Sequence, residues 1–395
     1  MSARMEIDDE RGLRRYTLDA VTTLQGIEAL RPDYEHLLGV TRHNLPFALH
    51  EWHVIWCRHF LNCDSHIHDE PRFYVLREAN GACVAIVPFI VSRRRWGPMG
   101  VTWVSLVGAD PAITEIRTPL IESGYEHLAA QAVRDNLART CSWDWINWSG
   151  LRGDFTEAIM LAGNMVQLQP PAVDVLLDLP SSWEEFRSRL RRNIRESLRH
   201  CYNSLRRDGH RFELRVIEDP AEMRAGLERF VALHAMRADL KGTVIHPDRF
   251  AHGTCREFLF AVCERLAARG AVRLFALRIG AQVVAMRLGF VVGDCLYLYY
   301  SGFDPVWGRY SVMTTTIAEA IKYAIAHGLK TVSLSPTNDR SKSRWGPREV
   351  EYASACESNV GLRSRLARDA YLSTRSEAGY PSKLFRLVAS RRAWN

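Results

Sequence analysis

Apolar positions in this chain switch between two periods, and the switches mark its elements. The most informative stretch begins at Cys295 and reads CLYLYYSGFDPVWGRYS. Leu296 to Tyr300 forms an aromatic strand run, and Asp304-Pro305 and Gly308 mark a loop. From Val312 to His327 small apolar residues keep a helical period until Gly328 stops it. A second β-rich run opens at Thr331. Such a unit aims successive backbone N–H groups at a helix start, where the first amides lack intrahelical partners and the dipole is positive. The spacing therefore predicts a seat for an anion, a diphosphate included.

Elsewhere the same periods give two hairpins. Phe73 to Arg77, a turn at Asn80-Gly81 and Ala82 to Phe89 form one; Phe275 to Arg278, a turn at Gly280 and Ala281 to Met286 form the other. Their shared order of Leu-Arg, turn and Val-Ala predicts an internal duplication. Gly150, Gly153, Gly163 and Pro170-Pro171 concentrate between the halves. On that division residues 1–165 and 166–360 form two domains and 361–395 a basic tail. The first half is predicted to hold helices over Gln25–Leu38, Leu49–Phe60 and Tyr125–Arg139, with strands at Thr102–Val107 and Trp143–Trp148. The second holds a strand over Phe212–Ile217, a helix over Ala221–Met236 behind Asp219-Pro220, and another over Phe250–Arg269. This mixture reads as α/β or α+β, and the antiparallel hairpins exclude a plain doubly wound sheet. GxGxxG and GxxxxGK[ST] are absent, which removes support for nucleotide folds of those kinds.

Composition changes this picture in several places. At 395 residues, 47% hydrophobic and 10% aromatic, the chain has apolar material for two cores. Nine cysteines without a CxxC pair read as reduced thiols. His50, His53, His59, Cys63, His66 and His68 crowd one segment, but HEWH lacks the HExxH spacing, so no metal is expected. The N-terminus has no apolar signal core, and runs such as Ala85 to Val91 are too short to span a bilayer; a cytoplasmic protein without a transmembrane segment is expected. The net charge of +7 is concentrated, with ten arginines between Arg187 and Arg215. Leu190, Ile194, Leu198 and Tyr202 recur at helical spacing there, which puts the arginines on an outer face. That face is either simply solvated or a landing strip for phosphates of coenzyme A, a nucleotide-linked sugar or a tRNA.

Taken in order, SGFDPVWGRYS, the Thr-rich helix entry and AEAIKYAIAHGLKTVSL resemble the C-terminal half of the GNAT acyltransferases. The likeness is greatest to the BioF2-like and CelD (BcsL)-type acetyltransferases, relatives of the FemABX aminoacyl transferases. It covers Asp178 to Tyr352 and, more weakly, the N-terminal half. It implies tandem GNAT-like domains of mixed, mostly antiparallel sheets flanked by helices. It also implies transfer of an acyl group from acetyl-CoA or another acyl-CoA to an amine or hydroxyl of a small polar metabolite, sugar or glycan and cell-envelope precursor. In the family, amides of the loop after the fourth strand hold the coenzyme A diphosphate. Gly308, Arg309, Tyr310, Ser311, Val312 and Met313 occupy that place here without the usual glycines. Tyr300 and Ser301 fall where the family's splayed strand amides receive the donor carbonyl. FemABX-type enzymes lack a standard coenzyme A loop, so aminoacyl-tRNA is the alternative donor. A non-catalytic RNA- or membrane-surface-binding protein is the alternative of another class.

Acyl transfer to an amine needs a bound donor, a route for the ammonium proton, donors for the oxyanion and an acid for the leaving group. No covalent nucleophile is required, in keeping with the absence of GxSxG. Tyr299 is a candidate acid, since its proton is available at neutral pH. Lys342, Trp345 and Gly346 match the aromatic-Lys-x-x-aromatic-Gly run of FemABX-like proteins, although Ser341 replaces the leading aromatic. The resemblance implies Lys342 beside the reacting ester, Asp339 orienting it or taking the proton, and Trp345 against the acceptor. Leu233-His234-Ala-Met-Arg237 resembles a run that borders the acceptor groove, with His234 as candidate base and Arg237 as a clamp for an acidic acceptor.

Overall fold

In the computed structural model, which describes residues 3–8, 15–41, 45–96, 99–109, 113–161, 165–240, 246–336 and 340–375, both expected hairpins are present and each anchors its own unit. The first unit comprises Met1–His43, Phe47–Ala172 and Glu351–Asn395, the second Asn44–Pro46 and Val173–Val350.

The chain begins with β1 (Ala3–Asp8), β2 (Arg15–Val21), α1 (Leu24–Ala29), α2 (Arg31–Thr41), α3 (His50–Phe60), β3 (Ile67–Glu78), β4 (Cys83–Trp96) and β5 (Met99–Leu106). It continues with β6 (Leu120–Ile121), α4 (Glu126–Thr140), β7 (Trp145–Leu151), α5 (Gly153–Met160) and β8 (Met165–Asp178). Next come α6 (Trp183–Arg189), α7 (Arg192–Arg207), β9 (Phe212–Ile217), α8 (Pro220–Ala238), α9 (Gly253–Ala267), β10 (Val272–Ile279), β11 (Gln282–Val292) and β12 (Cys295–Phe303). A short 3₁₀ turn, Pro305–Tyr310, leads into α10 (Val312–Ala326), followed by β13 (Thr331–Ser333), α11 (Arg340–Ser343), β14 (Arg348–Ser358) and α12 (Leu362–Arg375).

Both units use one strand order. In the first it is β1-β2-β3-β4-β5-β7-β14, with β6 beside β4. In the second it is β9-β10-β11-β12-β13-β8. Neighbours are antiparallel except β5 with β7 and β12 with β13, which are parallel across their helical crossovers. The duplication extends to single residues. In β3–β4 the register shifts after Leu76, leaving Val84 as the extra residue; in β10–β11 it shifts after Leu277, leaving Val284. Such a bulge twists a hairpin in the same way each time it occurs. Gly81 (φ +89°) and Gly280 (φ +59°) close the two turns in the left-handed region that glycine alone enters freely.

Two expected helices are interrupted. The run from Gln25 to Leu38 breaks at Leu30, between α1 and α2, because Pro32 has no N–H with which to continue the α1 hydrogen-bond ladder, whereas it fits the first turn of a new helix. The arginine-rich run breaks at Leu190 and Arg191, both extended (ψ 144° and 152°). Leu190 stays buried with Ile194 and Leu198, so leucine spacing does not reveal the break.

The first core joins Phe89, Leu106, Val133, Ile146 and Trp148; the second joins Val175, Leu198, Phe275, Leu298, Ile321 and Val332. Gly302 marks the tightest packing in the second unit. A Cβ there would stand 2.2 Å from the His234 amide nitrogen and 2.4 Å from the Leu233 carbonyl carbon, so α8 lies with its backbone directly on β12.

No helix among the described residues is long and apolar enough to cross a membrane. Nor do they contain a cluster of three His, Cys, Asp or Glu side chains fit to hold a metal. His50 Nε2 meets the Ile27 carbonyl at 2.9 Å and His53 Nδ1 the Tyr34 hydroxyl at 2.7 Å, so these rings serve the core.

Candidate active site

The strand, loop and helix unit singled out in the sequence forms a site with two parts. The first is a break in β12. Arg287 pairs with Ser301 and Gly289 with Leu298, so Tyr299 and Tyr300 together face the single Leu288. This bulge re-aims successive backbone groups and sets the Tyr299 and Tyr300 rings 4.3 Å apart. Parallel pairing of β12 with β13 ends at Tyr297 with Ser333. Beyond that point Leu334 turns to β8, donating its N–H to the Val175 carbonyl at 2.8 Å. The strands thus part just where the bulge lies.

The second part is the start of α10. Ser311 takes the left-handed conformation (φ 52°, ψ 43°) that the missing glycines would have supplied, and no side chain caps the helix. The Ser311 carbonyl accepts from the Thr314 and Thr315 amides, and Val312 and Met313 sit in the first turn, where amides have no intrahelical acceptor. No acidic residue occupies that turn. Arg344 reaches it from the segment after β13, its Nη2 donating to Thr314 Oγ1 at 2.8 Å. The Thr315 hydroxyl, in the same turn, is buried without a partner among the described residues. Arg309 lies over the Tyr310 ring at 4.8 Å, and the Tyr310 hydroxyl donates to Asp208 at 3.0 Å. Gly308 is exposed.

The equivalent place in the first unit is closed. There β4 and β5 pair without a register shift, and Glu126 stands in the first turn of α4, its carboxylate accepting from the Gly124 amide at 2.7 Å. An acidic side chain already satisfies what an anionic ligand would need.

His234 and Arg237 gather at the end of β12. The Arg249 amide approaches His234 Nε2 at 3.4 Å, which leaves Nδ1 to donate to the Ser301 carbonyl at 2.9 Å. Phe230, Phe250 and Tyr300 surround the ring. Arg237 donates to Ser301 Oγ at 2.7 Å and reaches the His246 ring at 3.1 Å. Burial holds the His234 imidazole below its ordinary value, against the opposing pull of the Ser301 bond and the Asp248 charge. An unfolded chain then binds more protons than the folded one below pH 6.5, so stability falls as pH drops through that range. Urea melts at pH 7.5 and pH 5 are expected to show a smaller loss for His234→Gln than for the wild type. Equal losses would contradict this.

Lys342, in α11, reaches back to the segment after β13. Its Nζ donates to the Ser335 carbonyl at 3.1 Å, Ser335 Oγ at 3.2 Å and the Pro336 carbonyl at 2.6 Å. Ser335 is itself left-handed (φ 66°). Its amide donates to Ser333 Oγ at 3.0 Å, and that hydroxyl donates to Asp174 Oδ1 at 2.6 Å. Burial pushes the Asp174 carboxyl up, while its hydrogen bonds and the Lys342 charge pull it down. Trp345 is buried in the second core, because its amide closes a turn onto the Lys342 carbonyl at 3.0 Å and folds the ring inward. Its indole N–H has no partner among the described residues. Tyr299 is also buried, against Phe290. Asp339 lies outside the described residues.

The structure thus joins His234, Arg237, Tyr300 and Ser301 on one side, and Lys342 with Asp174, Ser333 and Ser335 on another. Residues 188–343 match a family model described as an acetyltransferase (GNAT) domain. Over that stretch the second unit carries a GNAT-fold acetyltransferase domain. No curated protein matches the chain in sequence. Among solved structures, the crystal structure of FemX is similar at 11% identity and a TM-score of 0.54, over 82% of this chain and 95% of that one. The structure of L-PGS from Bacillus licheniformis is similar at 10% identity and a TM-score of 0.50, over 91% and 97%. At such identities the likeness is one of fold. Three residues that bear on the site lay outside the sequence candidates: Asp174, Gly302 and Arg344.

Proposed function

We propose that the second unit transfers an acyl group from acyl-CoA to an amine or hydroxyl of a small polar acceptor, such as a sugar or cell-envelope precursor. One observation carries this reading: the β12 bulge and the parting of β12 from β13 lie in the same strand-loop-helix unit as an uncapped, acid-free helix start. The acyl-CoA thioester supplies the activated acyl group. The Val312 and Met313 amides, with Arg344 and Arg309, fit its diphosphate. Amides at Tyr300 and Ser301 fit a developing oxyanion, and the role of leaving-group acid is assigned to Tyr299, the neighbouring residue on β12. His234 holds the Ser301 carbonyl and so acts as a positioning residue, with Arg237 turned toward the acceptor. Lys342 completes the acceptor side, and the resemblance adds Asp339 as its partner. Within the GNAT enzymes, the motif order favours the BioF2-like and CelD-type acetyltransferases.

Calorimetry at low salt is expected to show acetyl-CoA binding, weakened about 10-fold or more by Arg344→Ala, since a charged hydrogen bond contributes on the order of 1.5–3 kcal/mol. The likeness to FemX favours a second reading, transfer from aminoacyl-tRNA. Binding of charged tRNA without acetyl-CoA binding would replace the first reading by the second, and binding of neither would remove both.

A further inference from the structure

A second concavity of about 880 Å³ lies between α6 and α7, with Lys322 of α10 at its side. That is the size of a small-molecule site. Five cations line it: Arg187, Arg192, Arg195, Arg199 and Lys322. Only three carboxylates stand against them, Glu184 and Glu196 in the lining and Glu319, which holds Lys322 Nζ at 2.7 Å. Glu196 is tied to Arg192 at 2.6 Å. Arg187, Arg195 and Arg199 make no ion pair among the described residues, and a surplus of two positive charges is left. Its field reaches the neighbouring acid: the Glu196 carboxyl is held below its ordinary value by Arg192 first, with Arg199 and Arg195 adding to the pull. Arg195, Arg199 and Asn203 follow one another at four-residue steps, so they form one ridge on α7, and Arg187 reaches the same space from α6. Like charges gathered there repel one another, and a compact dianion would relieve that repulsion.

The rings in the wall are already in use. Lys322 Nζ lies 5.1 Å from the Trp183 ring and 4.9 Å from the Tyr202 ring. Phe186 stacks on Trp183 with centroids 5.7 Å apart, and Phe212 lies 5.5 Å from Tyr202. A nucleobase would therefore find no ring face to stack on. A long polyphosphate backbone fits less well too, because Glu184 and Glu196 also line the groove and would meet it. The uncommitted polar groups are Glu184 and Asn203, whose side chains make no hydrogen bond among the described residues. A carboxylate accepts, while a carboxamide both donates and accepts, and hydroxyl groups satisfy such a pair. A phosphate monoester carries a charge of about −2 at neutral pH, which matches the surplus, and guanidinium forks bind it through paired N–H groups. The place is separate from the donor site. The end of α7 meets the loop before α10 through Asp208 and Tyr310, whereas Lys322 stands eleven residues beyond Ser311, about 16 Å along the helix.

We infer that this groove binds a small polyol phosphate, with the phosphate monoester on Arg187, Arg195 and Arg199 and the hydroxyl groups on Asn203 and Glu184. The inference goes beyond the proposed acyl transfer and does not depend on it. Glucose 6-phosphate or glycerol 3-phosphate, titrated by calorimetry into protein saturated with acetyl-CoA, is expected to bind one to one. The tighter of the two should bind at least about 5-fold more tightly than inorganic phosphate, the effect of roughly one hydrogen bond. Arg195→Ala with Arg199→Ala should weaken it at least about 10-fold, whereas Asn203→Ala should weaken it about 5-fold and leave inorganic phosphate unchanged. Arg344→Ala should leave this binding intact, which separates the groove from the donor site even if acetyl-CoA fails to bind. Absence of binding by both esters at millimolar concentration overturns the inference, as does their displacement by acetyl-CoA. Esters that bind no more tightly than inorganic phosphate would show an anion-attracting surface only and overturn it as well. Binding of a 20-nucleotide RNA through the same arginines, uncompeted by either ester, also overturns it, by making the groove part of a polynucleotide surface.

Discussion

Alanine at Gly302 is expected to lower the stability of the second unit by about 3 kcal/mol or more, the upper end of what overpacking costs. The added carbon would meet the His234 nitrogen at 2.2 Å, the Leu233 carbonyl carbon at 2.4 Å and the His234 Cα at 2.7 Å. All three atoms belong to the α8 backbone, so no side-chain rotation can yield. Either α8 moves off the sheet or β12 bends away, and both moves disturb the His234 bond to the Ser301 carbonyl. For a unit of this size the melting midpoint should fall by about 6–12 °C. Turnover of the surviving folded protein should fall too, since the Tyr300 and Ser301 amides would shift. A midpoint within about 2 °C of the wild type would show that the helix and strand are not in contact as described.

Lys342→Met is expected to cut turnover about 100-fold while changing the acetyl-CoA dissociation constant little, the pattern of an interaction made chiefly in the transition state. The lysine engages the Ser335 and Pro336 carbonyls, so the substitution removes a charge and also loosens a left-handed turn. Asp174→Asn distinguishes these effects. It keeps an acceptor for Ser333 and leaves Lys342 in place, so its turnover should fall far less if the lysine charge acts on the reaction. If both variants lose equally, the turn is what matters. If Lys342→Met retains wild-type turnover, measured as thiol release from acetyl-CoA with a matched acceptor, the lysine has no part in the chemistry.

What the sequence made legible follows from how local each signal is. Asn80-Gly81 and Gly280 mark turns that three or four residues define, and both hairpins are where those residues put them. The entry to α10 was legible for the same reason, and its lack of loop glycines is met by Ser311 adopting their conformation. Bulges were not legible, because an extra Val84 or a doubled Tyr299-Tyr300 leaves the apolar run unbroken. Gly302 was invisible because its constraint comes from a helix more than sixty residues away. Asp174 did leave a trace, a lone carboxylate inside the apolar run VDVLL, where a buried strand tolerates a charge only with partners. Arg344 sat inside a matched motif whose lysine drew the attention.

The place of β14 in the chain has a consequence in time. β7 receives β14 as its antiparallel neighbour, yet roughly 200 residues, including the second unit, separate them in the chain. At a synthesis rate of about 5–20 residues per second, the β7 edge waits on the order of 10–40 seconds for its partner. An uncovered strand edge is a template for wrong pairing. The nascent chain must keep that edge occupied or shielded until its last strand is made.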